Sequence, residues 1–382
     1  MHIAYLTDQL LPQTATDTEY MISTVAAFGE VGAEVTLVKP EHWWNPEPGR
    51  DAIAEYYQVE PTFEVEHVRS VYPNIRGIEK IAQGIAGPLH PAARRADVLY
   101  TYTLPILLGA LLGGTRPIVY ETYRPWPYQQ PLSRPLFRWI ARHPQFLGAV
   151  LHSEHARSSY VDAGLDPDML RTARAGYDPD RLSPRLSQAE ARDRCDLPDR
   201  PTVTYTGRVT MKKGLGLMLD MARALPDAQF VIVGSEDEGP VEREAAPLSN
   251  VRVVPWQPFD AMTTYLYAAD VLLIPPTAGP LKNVGNTVLP MKTFPYLAAG
   301  RAILAPDTPD LQEILQDGEN AALVPPDDLD AAIERLRALL QAPEERAALG
   351  DAAYDTIRRH TWPRRAERIL EFIRDRQAQQ AR

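Results

Sequence analysis

The residues best suited to chemistry lie in the run Gly207-Arg208-Val209-Thr210-Met211-Lys212-Lys213-Gly214, between a strand-like stretch and a helical one. Glycine permits a tight turn, a helix start offers free N–H groups, and Arg208 and Lys213 add fixed positive charge. That combination suits a diphosphate. A solvated basic turn is the plainer reading of the same residues. A dinucleotide fingerprint fits poorly, because Gly214-Leu215-Gly216-Leu217-Met218-Leu219 lacks the third glycine. A second run, Gly285-Asn286-Thr287-Val288-Leu289-Pro290-Met291-Lys292, sets another turn ahead of a helix expected over 288–299. Lys292 falls in that helix's first turn, where the dipole disfavours a cation. A nearby anion would explain it, whereas an ordinary core helix with one exposed lysine needs none. Lysine is scarce: it occurs at 39, 80, 212, 213, 282 and 292, leaving 34 of the 40 basic residues as arginine. Four of those six lysines fall between 212 and 292.

Three other constellations have duller readings. Asp166-Pro167-Asp168 and Asp178-Pro179-Asp180 resemble metal-binding pairs, but Asp-Pro is mostly turn chemistry. His152-Ser153-Glu154-His155 has a spacing compatible with metal ligation on a helix, yet lacks further matching ligands. No metal is therefore expected. Arg134, Arg138 and Arg142 share a helical face opposite Leu132, Leu136 and Ile140, as a membrane-contacting helix would. An ordinary amphipathic helix reads the same way.

These residues need a frame. The 382 residues suggest two domains, each large enough for its own core. The net charge of −10 argues against nucleic-acid binding, which needs a basic stripe. The single Cys195 excludes an intramolecular disulfide and a cysteine-rich zinc site. No apolar run approaches 18 residues, and the N-terminal stretch lacks a basic n-region, so a cytoplasmic protein is expected. Strands are expected at 2–7, 34–40, 97–102, 117–121 and 147–152, with a helix at 19–30. The alternation restarts at 202 and runs through strands at 229–233, 251–254, 271–274, 302–305 and 321–324. Helices are expected between them, including one at 309–316, and two more near 343–358 and 361–379. Residues 41–75 show no clear pattern, and 165–201 reads as an interdomain linker with one short helix. The fold class is α/β, with two doubly wound domains whose strand ends would face a central cleft.

Several stretches, in this order and spacing, carry a resemblance. They are GRVTMKKG, FVIVGSEDE, YLYAADVLLIPP, YLAAGRAILAPDTPDLQEILQDGENAALVPPDD and HTWPRRAERILEFI, preceded by SEHARSSYVDAGLDPDML and AGYDPDRLSP. From residue 1 to about 375 the chain resembles a GT-B-fold glycosyltransferase, of the family 4 type. The resemblance implies two Rossmann-like domains: an acceptor side at 1–170, a nucleotide-sugar side at 171–358, and a helix at 359–382 returning to the first. It also implies sugar transfer from a nucleotide-diphosphate donor with retention of anomeric configuration.

Carried over by position, Arg208 and Lys213 grip the donor diphosphate as catalytic residues, beside Gly207 and Lys292. Gly234, Ser235, Glu236, Trp256 and Gln257 line the nucleobase pocket, and Gly285, Asn286 and Thr287 face the donor sugar and phosphates. The chain departs from the family pattern at three places. Thr287 and Pro295 stand where two glutamates are usual, Gln13-Thr14-Ala15-Thr16 replaces a glycine-rich loop, and Tyr123 takes the place of a catalytic histidine. Thr14, Thr16 and Glu121 fall on the acceptor side. The implied partners are a nucleotide sugar as cosubstrate and an acceptor that is a glycan, a lipid-linked molecule or a small molecule. No other cofactor and no nucleic acid is implied, and a peripheral contact with the inner face of the membrane stays open. Two other readings remain: a nucleotide-sugar epimerase, for which the motif regions offer only Glu121 and Glu236 as acid–base groups, and a non-catalytic nucleotide-sugar-binding relative.

Overall fold

The computed structural model describes every residue except 43–47, 71–77, 115, 280–288 and 382. The chain divides into two compact units, Met1–Gly176 with Trp362–Arg382, and Tyr177–Thr361. The boundaries thus fall at 176/177 and 361/362, not at 170/171 and 358/359.

Unit 1 is built on seven strands: β1 (His2–Leu6), β2 (Glu34–His42), β3 (Glu64–Ser70), β4 (Val98–Thr101), β5 (Ile118–Thr122), β6 (Phe146–Leu151) and β7 (Leu170–Thr172). They pair in the order β3-β2-β1-β4-β5-β6-β7, every ladder parallel. Strands covered on both faces must be apolar throughout. That is why HIAYL, VLYT and FLGAVL are short apolar runs, with β4 and β6 buried along their whole length. The order reverses direction between β1 and β4, so the loops following those two strands flank the switch point where ligands bind in open parallel sheets. The Trp362–Gln380 helix lies along β6, where Arg376 donates to the Leu147 carbonyl at 2.8 Å and Gln380 donates to that of Phe146 at 3.2 Å.

Two expectations for this unit are corrected. The unpatterned stretch after 41 contains an Arg50–Tyr57 helix and the edge strand β3, EVEHVRS, whose polar side chains follow from its place at the rim. The supposed linker contributes β7 to the sheet before it reaches the Gln188–Arg194 helix.

Unit 2 has six parallel strands: β8 (Thr202–Thr206), β9 (Gln229–Ser235), β10 (Val251–Pro255), β11 (Val271–Leu273), β12 (Ala302–Pro306) and β13 (Ala322–Val324). Their order is β10-β9-β8-β11-β12-β13, with the switch between β8 and β11. Asp270 braces the base of β8: it accepts from the Thr202 N–H at 2.7 Å and pairs with Arg192 and Arg346. The helix expected at 309–316 is a series of turns instead. Asn320 takes over the backbone there, accepting from the Gln316 N–H at 2.7 Å and donating to the Ile314 carbonyl at 3.0 Å. The helix expected from 288 begins at Thr293, with Lys292 as its N-cap residue.

Candidate functional site

In unit 2 the strand β8 is followed by Gly207, which sits at φ +124° and donates its N–H to the Val233 carbonyl at 2.9 Å. Gly234, at φ +119°, closes β9 beside it. A Cβ on Gly234 would meet the Gly207 carbonyl oxygen at 2.5 Å, and one on Gly207 would meet Lys292 Nζ at 3.1 Å. Both positions therefore require glycine, on backbone conformation as well as space. Lys292 is half-buried, and its Nζ stands 3.4 Å from the centroid of the Tyr205 ring. Tyr205 in turn donates its hydroxyl to the Arg208 carbonyl at 3.0 Å, and the Thr206 N–H donates to the Tyr296 hydroxyl at 2.8 Å. A cation–π seat on the anchored end of β8 holds the ammonium in place.

The charges here are not balanced. Burial, and after it the charge of Lys213, pulls the Lys292 ammonium well below its ordinary 10.5. Burial and then Arg208 lower Lys213 as well. Among the described residues no carboxylate pairs with any of the three. Lys213, Lys292, Thr308 and Asp310 line one small cavity of about 50 Å³. Close by in the sheet, the Trp256 N–H donates to the Ser235 carbonyl at 2.8 Å, and the indole is 45% exposed. Ser235 is tied to Glu242 at 2.6 Å, Glu236 is exposed, and Gln257 donates to the Pro255 carbonyl at 3.2 Å. An exposed indole beside a cationic turn can stack a base whose phosphates reach the turn.

Unit 1 gathers its polar groups differently. Glu121, at the end of β5, is fully buried and accepts from His152 Nε2 at 3.0 Å and from the Arg365 guanidinium. Burial would raise its carboxyl, but Arg365 and the His152 hydrogen bond hold it down at about 2. Burial lowers His152, so its imidazole is neutral near pH 7, with the proton assigned to Nε2 by the carboxylate. Arg365 also donates to Thr24 at 3.2 Å and to the Ala173 carbonyl at 3.3 Å, and lies over the Tyr20 ring. Tyr20 stacks on His152 at 4.1 Å, and Tyr102 and Tyr123 stand 6.4 and 6.1 Å from it.

Residues 200–342 match the family described as Glycosyl transferases group 1. The sulfoquinovosyl transferase SQD2 of Arabidopsis thaliana is 24% identical over 87% of this chain and 65% of its own length. The GDP-mannose-dependent alpha-(1-6)-phosphatidylinositol monomannoside mannosyltransferase of Mycolicibacterium smegmatis is 27% identical over 80% of this chain and 78% of its own. The chain thus spans somewhat less than two thirds of the first of these curated relatives. The solved structure of Anabaena Alr3699/HepE with UDP-glucose shares the fold, at TM-score 0.73 and 15% identity, covering 98% of this chain and 100% of that one. The chain has the GT-B fold, and its residues 200–342 are similar to the group 1 glycosyl transferases.

In this GT-B chain Gly207, Arg208, Lys213, Gly234 and Lys292 meet around the ends of β8 and β9, with Ser235 and Trp256 joined by backbone. Gly285, Asn286 and Thr287 lie outside the described residues. Lys292 is not the solvated surface lysine of the plainer reading. Glu121 needs correcting: with no exposed surface and both neighbours charged or polar, it backs His152 and does not itself face an acceptor. Thr14, in the loop after β1, and Thr16, which opens the Thr16–Glu30 helix, are exposed, and Gln13 fixes that loop through both of its backbone groups to the Tyr57 hydroxyl at 2.9 Å. Tyr123 is half-buried between Tyr102 and Arg124. Of the arginine face, Arg138 donates to the Ala163 carbonyl, while Leu132, expected on the packed side, is 95% exposed. Phe137 and Ile140 fill that side instead. Among the described residues no group of three or more His, Cys, Asp or Glu could hold a metal, and no helix is long and apolar enough to cross a membrane. Sequence reasoning weighed His152 only as a metal ligand and passed over Arg365, Tyr20 and Tyr102. The position of His152, directly after a wholly buried strand, was the available signal.

Proposed function

We propose that this chain transfers a sugar from a nucleoside-diphosphate donor to a hydroxyl acceptor, with retention at the anomeric carbon. The observation that carries this is the trio Arg208, Lys213 and Lys292, three cations with no carboxylate partner among the described residues, at the carboxyl edge of a parallel sheet. In the reaction the bond from the anomeric carbon to the diphosphate oxygen breaks, and its electron pair stays on the diphosphate. The acceptor oxygen bonds to the same face of that carbon, and its proton passes to the departing phosphate oxygen. Arg208 and Lys213 neutralise the charge that develops, the kind of fixed electrostatic help worth about 2–4 kcal/mol per group. Lys292 adds to it, and the close backbones at Gly207 and Gly234 let the phosphates approach. The base rests on Trp256 near Ser235, Glu236 and Gln257. On the acceptor side stand Thr14, Thr16, Tyr123 and His152. No metal is needed, because the side-chain cations already oppose the leaving charge.

Support comes from the named relatives: the HepE structure holds UDP-glucose, and the mannosyltransferase is named for GDP-mannose and a phosphatidylinositol acceptor. An epimerase would need Glu121 or Glu236 as a proton carrier; the Glu121 carboxyl is held at about 2 and buried, and Glu236 is exposed to solvent. The test is a panel of nucleotide sugars screened by thermal shift, followed by turnover of the best donor. A bound donor stabilises the fold by mass action. Lys213→Ala should then lower turnover by roughly 30- to 1,000-fold with the melting temperature kept. Unchanged turnover, or binding without any release of nucleotide, would overturn the assignment.

A further inference from the structure

One group in the cation-lined cavity has the opposite sign. Asp310 is 2% exposed, and its Oδ2 accepts from the Leu289 N–H at 2.7 Å. Its Oδ1 is buried and has no hydrogen-bond partner among the described residues. Asp310 lines the same cavity as Lys213 and Lys292, yet it pairs with neither; the charges that act on those lysines are positive ones. A carboxylate oxygen is acceptor-only, and buried polar atoms are normally satisfied. Its missing partner must be a donor. A phosphate on the two lysines brings no donor and repels Asp310. What sits beside a diphosphate and carries O–H groups is the sugar attached to it.

Building on the donor reading above, we propose that Asp310 is the specificity residue for the donor's sugar. Its free oxygen accepts a hydrogen bond from a neutral sugar hydroxyl, and its charge excludes sugars that carry a carboxylate. An acceptor-only group so placed discriminates both by attraction and by repulsion. Asp310→Asn separates these roles from a structural one. The amide keeps one oxygen for the Leu289 N–H and turns an NH₂ toward the cavity, a donor where an acceptor stood.

The experiment is titration calorimetry of the full chain with UDP, UDP-glucose and UDP-glucuronic acid, and in parallel with GDP, GDP-mannose and GDP-mannuronic acid. The wild type should prefer the neutral sugar over the uronic acid by about ten-fold or more, as expected for a buried charge meeting a like charge. In Asp310→Asn that preference should shrink by about five-fold or more, while the bare nucleoside diphosphate stays within about two-fold. Equal weakening of bare and sugar-bearing nucleotides would overturn the proposal and leave Asp310 as an anchor for Leu289. Equal wild-type affinity for neutral and uronic sugars would overturn it without any variant, so a poorly folded Asp310→Asn does not protect it. Failure of every nucleotide to bind the wild type would instead overturn the donor reading, and this inference with it.

Discussion

The two units carry similar sheets and treat buried charge in opposite ways. In unit 1, Glu121 is met by Arg365 and His152, and Arg365 is met again by Thr24 and the Ala173 carbonyl. In unit 2, Lys213 and Lys292 are partly desolvated with no opposite charge bonded to them among the described residues. Unit 2 can pair its cations when the role is structural: Arg192 and Arg346 share Asp270 at the foot of β8. Desolvating an unpaired cation costs free energy, and a fold retains such a feature where function needs it. The difference teaches where an anion belongs. Unit 2 leaves its cations unmatched among the described residues at its carboxyl edge, whereas unit 1 closes its charges beneath the stacked rings of Tyr20 and His152.

The largest expected effect breaks the compensated side. Glu121→Gln leaves the Arg365 charge buried and unmatched, and removing one partner of a buried pair costs about 3–5 kcal/mol. Urea denaturation should show that loss, and Glu121→Gln combined with Arg365→Met should recover much of it. If the double variant is as unstable as the single one, the pair is not what ties the Trp362–Gln380 helix to unit 1.

The pH responses of the units should diverge. Glu121 falls from an ordinary 4.5 to about 2 on folding, so its contribution is fully present above 4.5 and lost as pH drops toward 2. That fall corresponds to roughly 3 kcal/mol. His152 is also lowered, so acid works the same way on it below 6.5. Lys292 and Lys213 are lowered too, so between their depressed values and 10.5 the unfolded state binds more protons and stability rises with pH. Hydrogen exchange followed by mass spectrometry, read separately for the two units, should find unit 1 loosening from pH 6 to 4 and unit 2 tightening from pH 8 to 10. A diphosphate should raise both lysines, so binding should take up protons, visible as a buffer-dependent enthalpy. Proton release would contradict the site.

A smaller effect sharpens the comparison from the other side. Lys292→Met removes an uncompensated ammonium, at the loss of a cation–π contact of about 0.5–1 kcal/mol. Thermal stability of the unliganded protein should hold or rise, while affinity for a nucleoside diphosphate falls. A variant less stable but equally tight-binding would make Lys292 a structural residue.

What the sequence disclosed divides along the same line. The buried strands and the turn after β8 were legible, because double-sided burial writes apolar runs and a cationic turn after a strand is a local signal. The rim strand β3 was not, since half its side chains face water. Nor was β7, three residues inside a stretch rich in Pro and Asp. Glu121 falls on the acceptor side by position, but its buried pairing was not legible, because its partner Arg365 lies 244 positions away and nothing local announces it. The place of Lys292 against the helix dipole is a local signal, but its seat on Tyr205 depends on the helix start meeting β8.

The smallest predicted effect concerns Pro295, the third residue of the Thr293–Ala299 helix. In the family pattern a carboxylate stands there and holds the donor's ribose; proline has no acceptor on its side chain and no backbone N–H. With that contact absent, affinity should rest on the phosphate cations, which do not sense the 2′-hydroxyl. Ribo and 2′-deoxyribo forms of the same nucleotide sugar should then bind within about three-fold, a difference below about 1 kcal/mol. Pro295→Glu tests the cause directly. Its carboxylate can accept charge-assisted bonds from the ribose hydroxyls, each worth about 1.5–3 kcal/mol. The variant should therefore favour the ribo form by ten-fold or more, with bare diphosphate affinity little changed. A ten-fold ribo preference already present in the wild type would show that another residue reads the ribose. The contrast between the units would then have to include a neutral recognition element in unit 2 that its charges conceal.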